Sequence, residues 1–338
     1  MDRKRPFDAV LIIAFGGPEA PEHVRPFLEN VVRGKPVPRE RLEQVARNYE
    51  RFGGISPLPA VTRSQATGLR ERLGATGVDL PVFVGMRNWH PFLADTLADM
   101  ARQGVRRAIG FIAAAHHSYP SCGEYKKNVR EACQALRRQG LPEIGITYVD
   151  SWYVHPDFIR AYADHVREAI NRLEPPLRER ARIVFSAHSI PTVMAGQCCY
   201  RQHLEITARG VLECIGRRDW ALVYQSRSGR PQDPWLEPDI NDYLRSQRAC
   251  GLEAAVVVPI GFIIDHIEVL YDLDVRAAEV CREIGLPMAR ARTLNDDPLF
   301  LDMMADVVRR TWERGRECIP LPITESHFNR HAHLTEKM

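Results

Sequence analysis

Eight short runs of apolar, mostly β-branched residues are spread along this chain, with amphipathic stretches separating most of them. In the first half they fall near Ala9–Phe15, Val82–Gly85, Arg107–Ala113 and Ile144–Val149. In the second half they fall near Ile183–Ser186, Leu222–Gln225, Ala254–Ile260 and Met288–Arg292. A strand that is apolar on both faces must be covered on both faces, which implies parallel sheets wrapped in helices. The stretches Glu22–Val32, Arg39–Arg51, Phe158–Leu173 and Asp239–Arg248 carry apolar residues at helical spacing and supply that cover. Four strands in each half predict two similar doubly wound α/β domains rather than one large sheet. A length of 338 residues agrees with two domains, at roughly 100–200 residues each. The division is placed at residues 6–150 and 151–297, with the joint near Asp150-Ser151-Trp152. A last helix over about 298–318 is expected to pack back on the first domain, and 321–338 to form a polar tail.

The bulk charge excludes some functions. A net charge of +3 is too slight to drive binding to nucleic acid or to a membrane surface, so any positive potential has to be local. No run approaches the roughly 18 apolar residues that a spanning helix needs. The amino terminus begins basic and turns apolar, but it contains Asp8 and ends in Phe15-Gly16-Gly17-Pro18 without a small-residue cleavage site. It therefore reads as a first strand and not as a secretory leader. The 8 cysteines show no C-x-x-C spacing, which in a chain of this length argues for reduced thiols. A cytoplasmic monomer without stable membrane insertion is expected.

Loops leaving the carboxyl ends of parallel strands converge on one crevice, and that is where the chemistry-bearing residues stand. His188 lies just past a buried strand in Ser186-Ala-His-Ser-Ile-Pro191. Asp265, Glu268 and Asp272 follow another such strand at helical spacing, so they are expected to share a face. After so apolar a run, Glu268 is expected to be partly desolvated, with a raised pKa. An imidazole facing a carboxylate can move protons, hold a divalent metal, or do both. Pro234-Trp235-Leu-Glu-Pro238 is a rigid loop whose indole can wall an apolar pocket. Arg33, Lys35, Arg39, Arg47 and Arg51 gather positive charge near Tyr49, a combination suited to a flat ligand bearing carboxylates. His116 and His117 are adjacent, and sequence neighbours rarely point the same way, so they are not read as a metal pair. Phe15-Gly-Gly-Pro18 lacks the third glycine of a phosphate cradle and reads as a tight turn.

Six segments, in order, closely resemble the ferrochelatase family. They are Phe15-Gly-Gly-Pro18, Phe52-Gly-Gly-Ile-Ser-Pro-Leu58, Ser186-Ala-His-Ser-Ile-Pro191, Gln225-Ser-Arg-Ser-Gly229, Pro234-Trp-Leu-Glu-Pro-Asp239 and Asp265-His-Ile-Glu-Val-Leu-Tyr-Asp-Leu-Asp274. The likeness runs from about Phe7 to Val308, and Gly85-Met-Arg-Asn-Trp89 resembles the actinobacterial, coproporphyrin-type branch. The resemblance implies a class II chelatase-like fold of two Rossmann-like domains, each with a four-stranded parallel sheet, with the porphyrin held between them. It also implies insertion of Fe²⁺ into coproporphyrin III in haem synthesis, with protoporphyrin IX as the alternative substrate. A cobalt chelatase of corrin synthesis and a non-catalytic tetrapyrrole carrier are more distant alternatives.

Carried over by position, the family's iron-site histidine falls on His188 and its glutamate on Glu268. Porphyrin-contact positions fall on Ser56 and Tyr125, with Tyr49 close by. The position of an iron-ligating tyrosine in some members holds Phe15, which cannot ligate. Arg276 stands where the family's acidic ridge would continue, which argues against a second, outer metal site. Many relatives carry a [2Fe–2S] cluster, and Cys122 matches its first ligand, but the tail offers only Cys318. A cluster needs about four thiolates, so one here would have to recruit Cys198 and Cys199 with Cys214 or another. The cysteine pattern does not favour it.

Overall fold

The computed structural model describes residues 6–35, 37–118, 123–228 and 232–317. Cys122, Cys318 and the tail over 321–338 lie outside these residues. β1 (Ala9–Ala14) is buried along its whole length, because β2 (Val82–Met86) and β3 (Arg107–Ile112) pair with it on either side and helices cover both faces. β4 (Gly145–Tyr148) adds to β3, and the sheet runs β2-β1-β3-β4 with every pair parallel. The second half repeats this plan with β5 (Ala181–His188), β6 (Trp220–Gln225), β7 (Ala254–Val258) and β8 (Met288–Arg290). Its order is β6-β5-β7-β8, again parallel throughout. All eight expected runs are strands, and the architecture is two four-stranded Rossmann-like units.

The helices that build the first half are α1 (Val24–Val31), α2 (Arg39–Glu50), α3 (Pro57–Ala75), α4 (Leu93–Arg102) and α5 (Glu124–Arg138). The second half uses α6 (Pro156–Asn171), α7 (Tyr200–Ile215) and α8 (Ile240–Ala249). A further helical run, α9, joins Ile267–Val269, Leu270–Ala277 and Ala278–Glu283. Local chemistry fixes where these helices start. Ser56 accepts from the Leu58 N–H and precedes Pro57, a residue preorganised for the first helical position. His155 and Asp239 cap α6 and α8 in the same way.

The last helix, α10 (Pro298–Glu317), packs against both α3 and α6. At the joint, the Trp152 ring stacks on Phe111 of β3 at 5.4 Å and meets Phe158 at 5.1 Å and Phe300 at 5.8 Å. One apolar core therefore runs unbroken from β1 and α3, through α6 and α10, into β5 and β7. Among the described residues, no helix is long and apolar enough to cross a membrane.

Candidate active site

In each sheet the chain steps outward on one side of its first strand and returns on the other. The crevice lies beyond the carboxyl ends, between the first and third strands. In the second sheet these are β5 and β7. β5 ends on His188, and the chain leaving β7 reaches Glu268 within ten residues. Gly261 lets that loop press on β5: its N–H donates to the Ser186 carbonyl at 3.1 Å. A Cβ there would come within 2.7 Å of the Ala187 Cβ. The result brings together two residues eighty positions apart, with His188 Nε2 at 3.5 Å from Glu268 Oε1. Their side chains are 35% and 44% exposed, so a ligand entering between the two halves can reach both.

His188 is oriented from behind. Its Nδ1–H donates to the Ser189 carbonyl at 2.5 Å, which leaves Nε2 as the nitrogen facing the acid. The Tyr200 hydroxyl holds the His188 carbonyl at 3.1 Å. The surrounding protein mass disfavours charge on the ring. The facing Glu268 carboxylate overcomes this and raises the His188 pKa, helped by the Ser189 bond and the charge of Asp272. Burial likewise works to raise Glu268, but His188, His266 and Ser226 together bring it down to about 2. The raised pKa expected from the sequence is thus reversed: Glu268 is held ionised by an imidazole from a distant part of the chain.

Asp272 takes the opposite role. It is buried, accepts a 2.5 Å hydrogen bond from the Ser226 hydroxyl, and lies 3.6 Å from Arg276. Burial pushes its carboxyl up, the Ser226 bond opposes the rise, and the charge of Glu268 adds to it. The three-acid stripe is not formed. His266 caps the helical run, its Nδ1 accepting from the Val269 N–H, so the helix begins at Ile267. Asp265 falls before that start and pairs with Arg290 at 2.7 Å and Asn295 at 3.0 Å instead. Through Leu270–Ala277 the backbone winds wider than an α-helix, with the Ala278 N–H reaching the Leu273 carbonyl five residues back. Such segments are frequent at functional sites.

Across from α9 stands the end of α2. The Arg51 guanidinium lies 5.9 Å from the Tyr271 ring centre. Tyr49 packs on Phe27 at 5.8 Å, and burial and the charge of Glu268 both push its hydroxyl above the ordinary range. Phe15 meets Phe27 edge-on at 6.2 Å and completes this aromatic wall. Trp235 is placed beside the loop after His188: it bridges Pro191, while the Leu236 N–H donates to the Ile190 carbonyl. Its indole N–H has no partner among the described residues. Ser56 is nearly fully buried, pressed on Gly17, and its hydroxyl caps α3. Tyr125 is buried in the core between α4 and α5, with its hydroxyl pushed to about 12 by burial, an effect that Arg87 opposes. Arg39 and Arg47 are exposed on α2, and Arg33 and Lys35 are exposed between α1 and α2. Cys198 turns its thiol to the Met194 carbonyl, and no group of three His, Cys, Asp or Glu placed to hold a metal occurs among the described residues.

Two contributors escaped the sequence. Ser226 stands at φ 61°, a strained region for serine, and from there serves Asp272 and Glu268. Tyr200 fixes the His188 backbone from the start of α7. The only trace of Ser226 was its place within the Gln225–Gly229 motif.

The fold is that of the chelatases. The solved structure of SirB from Bacillus subtilis with Fe³⁺ matches at a TM-score of 0.57 and 10% identity, covering 92% of this chain and 98% of that one. The sirohydrochlorin chelatase SirB from Bacillus subtilis subspecies spizizenii, in complex with cobalt, matches at 0.55 and 11%, covering 91% and 96%. At such identities the likeness is one of fold alone. Sequence narrows the class: the pattern of the ferrochelatase family matches residues 7–312, and the chain belongs to that family. It is 42% identical to a coproporphyrin III ferrochelatase of Streptomyces coelicolor, over 93% of this chain and 88% of the relative. It is 43% identical to a ferrochelatase of Rhodopirellula baltica, over 91% and 87%.

Proposed function

We propose that this protein inserts Fe²⁺ into coproporphyrin III in haem synthesis, as a lyase-class chelatase working as a cytoplasmic monomer. The observation that carries this is the His188–Glu268 pair, 3.5 Å apart at the switch point of the second sheet. Metal insertion removes two protons from pyrrole nitrogens and strips water from a hydrated dication. His188 Nε2 accepts one pyrrole proton, Glu268, ionised opposite it, stabilises the imidazolium that forms, and the second proton leaves to water at the open side of the pair. The Glu268 oxygens, and Nε2 before it takes up the proton, would suit Fe²⁺ as it sheds its hydration. Phe15, Tyr49 and Trp235 offer aromatic surface to the macrocycle, whereas Ser56 and Tyr125 are too buried to be counted among its contacts. Binding energy realised on that surface can distort the ring so that a nitrogen lone pair turns toward the metal.

Coproporphyrin is favoured by the names of the relatives and by its four propionates, for which Arg51 at the slot and the cations on α2 and between α1 and α2 are suited. The [2Fe–2S] cluster is not part of the proposal. The test is anaerobic Fe²⁺ insertion followed spectrophotometrically, comparing kcat/KM for coproporphyrin III and protoporphyrin IX. A preference for protoporphyrin refutes the substrate assignment. Insertion of Co²⁺ but not Fe²⁺, or binding without metallation, refutes the activity.

A further inference from the structure

Among the described residues, Ser226 and Asn295 are the non-glycine positions with positive φ, and Asn295 stands at 49°. Asparagine tolerates this region when its side chain is engaged locally, and the conformation persists where the surroundings dictate it. Here they do. The Asn295 N–H donates to the Ile263 carbonyl at 2.8 Å. Its carboxamide oxygen accepts from the Asp265 N–H at 3.0 Å and from the Thr293 hydroxyl at 3.2 Å. Its amide nitrogen donates to Asp265 Oδ2 at 3.0 Å. Because Asp265 can only donate through its N–H, the orientation of the carboxamide is fixed by its partners.

Ties from Arg290, Gln65 and Ser64 complete the frame. Arg290 donates to Asp265 Oδ1 at 2.7 Å and forks onto Asp274 at 2.5 and 2.8 Å, so α9 is held to the same anchor. From the other half, Gln65 on α3 donates to the Asn295 carbonyl at 2.6 Å, and Ser64 donates to Asp296 at 2.7 Å. A single turn after β8 thus grips the loop that delivers Glu268 and the helix that begins at Ser56.

We propose that Asn295 is a positioning residue: it fixes the Phe262–His266 loop, and with it Glu268 opposite His188, relative to α3 of the other half. The inference rests on the role given to Glu268 above. Removing the carboxamide costs Asp265 two hydrogen bonds and frees a loop three residues from the acid. A displacement of about 1 Å at a reacting group costs up to about a hundredfold. The loss falls on the metal side, because the aromatic wall belongs to other elements.

The test uses the full-length protein with Asn295→Ala, Asn295→Gly and Glu268→Gln, read by anaerobic insertion at varied Fe²⁺ and by porphyrin fluorescence quenching. Both Asn295 variants should lower kcat/KM for Fe²⁺ by about tenfold or more, while the porphyrin Kd stays within about twofold. Asn295→Ala added to Glu268→Gln should bring no further loss. Glycine suits the backbone and lacks the side chain, so wild-type kinetics in Asn295→Gly overturn the inference; this variant also serves if the alanine protein does not fold. Variants that melt earlier but keep kcat and KM overturn it too, as does an equal loss in the Glu268→Gln background. Wild-type turnover by Glu268→Gln itself overturns the functional reading, a result distinct from those.

Discussion

His116 gives a prediction whose magnitude follows from its surroundings. The ring is 4% exposed, and its Nε2 lies 3.0 Å from the Thr207 hydroxyl. That hydroxyl donates toward the Tyr153 and His203 carbonyls, so it accepts from His116, and Nδ1 is left without a partner among the described residues. Protonation would put an unpaired N–H and a charge into the core. Burial, then the neighbouring His203 and His117, hold the pKa down at about 3. An unfolded imidazole titrates near 6.5. Since the folded value is the lower one, the contribution is complete above about pH 6.5 and is lost as pH falls toward 3. At pH 5 the deficit is about 1.5 pH units at about 1.4 kcal/mol each, hence about 2 kcal/mol lost relative to pH 8. In His116→Gln, which keeps a donor toward Thr207 and cannot titrate, that dependence should vanish. Urea denaturation of both proteins at pH 8 and pH 5 measures it. If the variant loses as much stability as the wild type between those pH values, His116 is not held neutral and the reasoning fails.

His188→Ala should abolish Fe²⁺ insertion while porphyrin affinity, read by fluorescence quenching, changes by less than about threefold; retained turnover would remove the base from its role. Trp152→Ala should cost about 3–5 kcal/mol in urea denaturation, because it empties the contact among Phe111, Phe158 and Phe300. Ser226→Ala keeps the strained φ and leaves Asp272 without its 2.5 Å donor, so it should destabilise by about 1–3 kcal/mol. Ser226→Gly should recover about 1 kcal/mol of that by relieving the backbone, and no difference between the two would show that φ carries no strain.

The strands were legible because strands buried on both faces are written as continuous apolar runs, as in Ala-Val-Leu-Ile-Ile-Ala of β1. Their order was not, since nothing in a run states which neighbour it pairs with. His188 and the acidic segment could be singled out from their places after buried strands. The sign of the Glu268 shift could not, because desolvation is local and visible, whereas the opposing imidazole arrives from eighty residues away. Asp265 was misplaced for a smaller reason: spacing counts residues, and the cap at His266 starts the helix after it. Ser226 and Asn295 depend on positive φ, which their neighbours in space impose and their neighbours in sequence do not announce.

The apolar core that runs unbroken through Trp152, α6 and α10 bears on how a rigid disc the size of a tetrapyrrole gets in and out. Swinging the two halves apart like a clam would tear that core and wet the rings at its centre, at a cost far above thermal energy. The rim is softer than the core: there the exposed Arg51 lies 5.9 Å from the half-buried Tyr271 ring, and parting the two wets far less apolar surface.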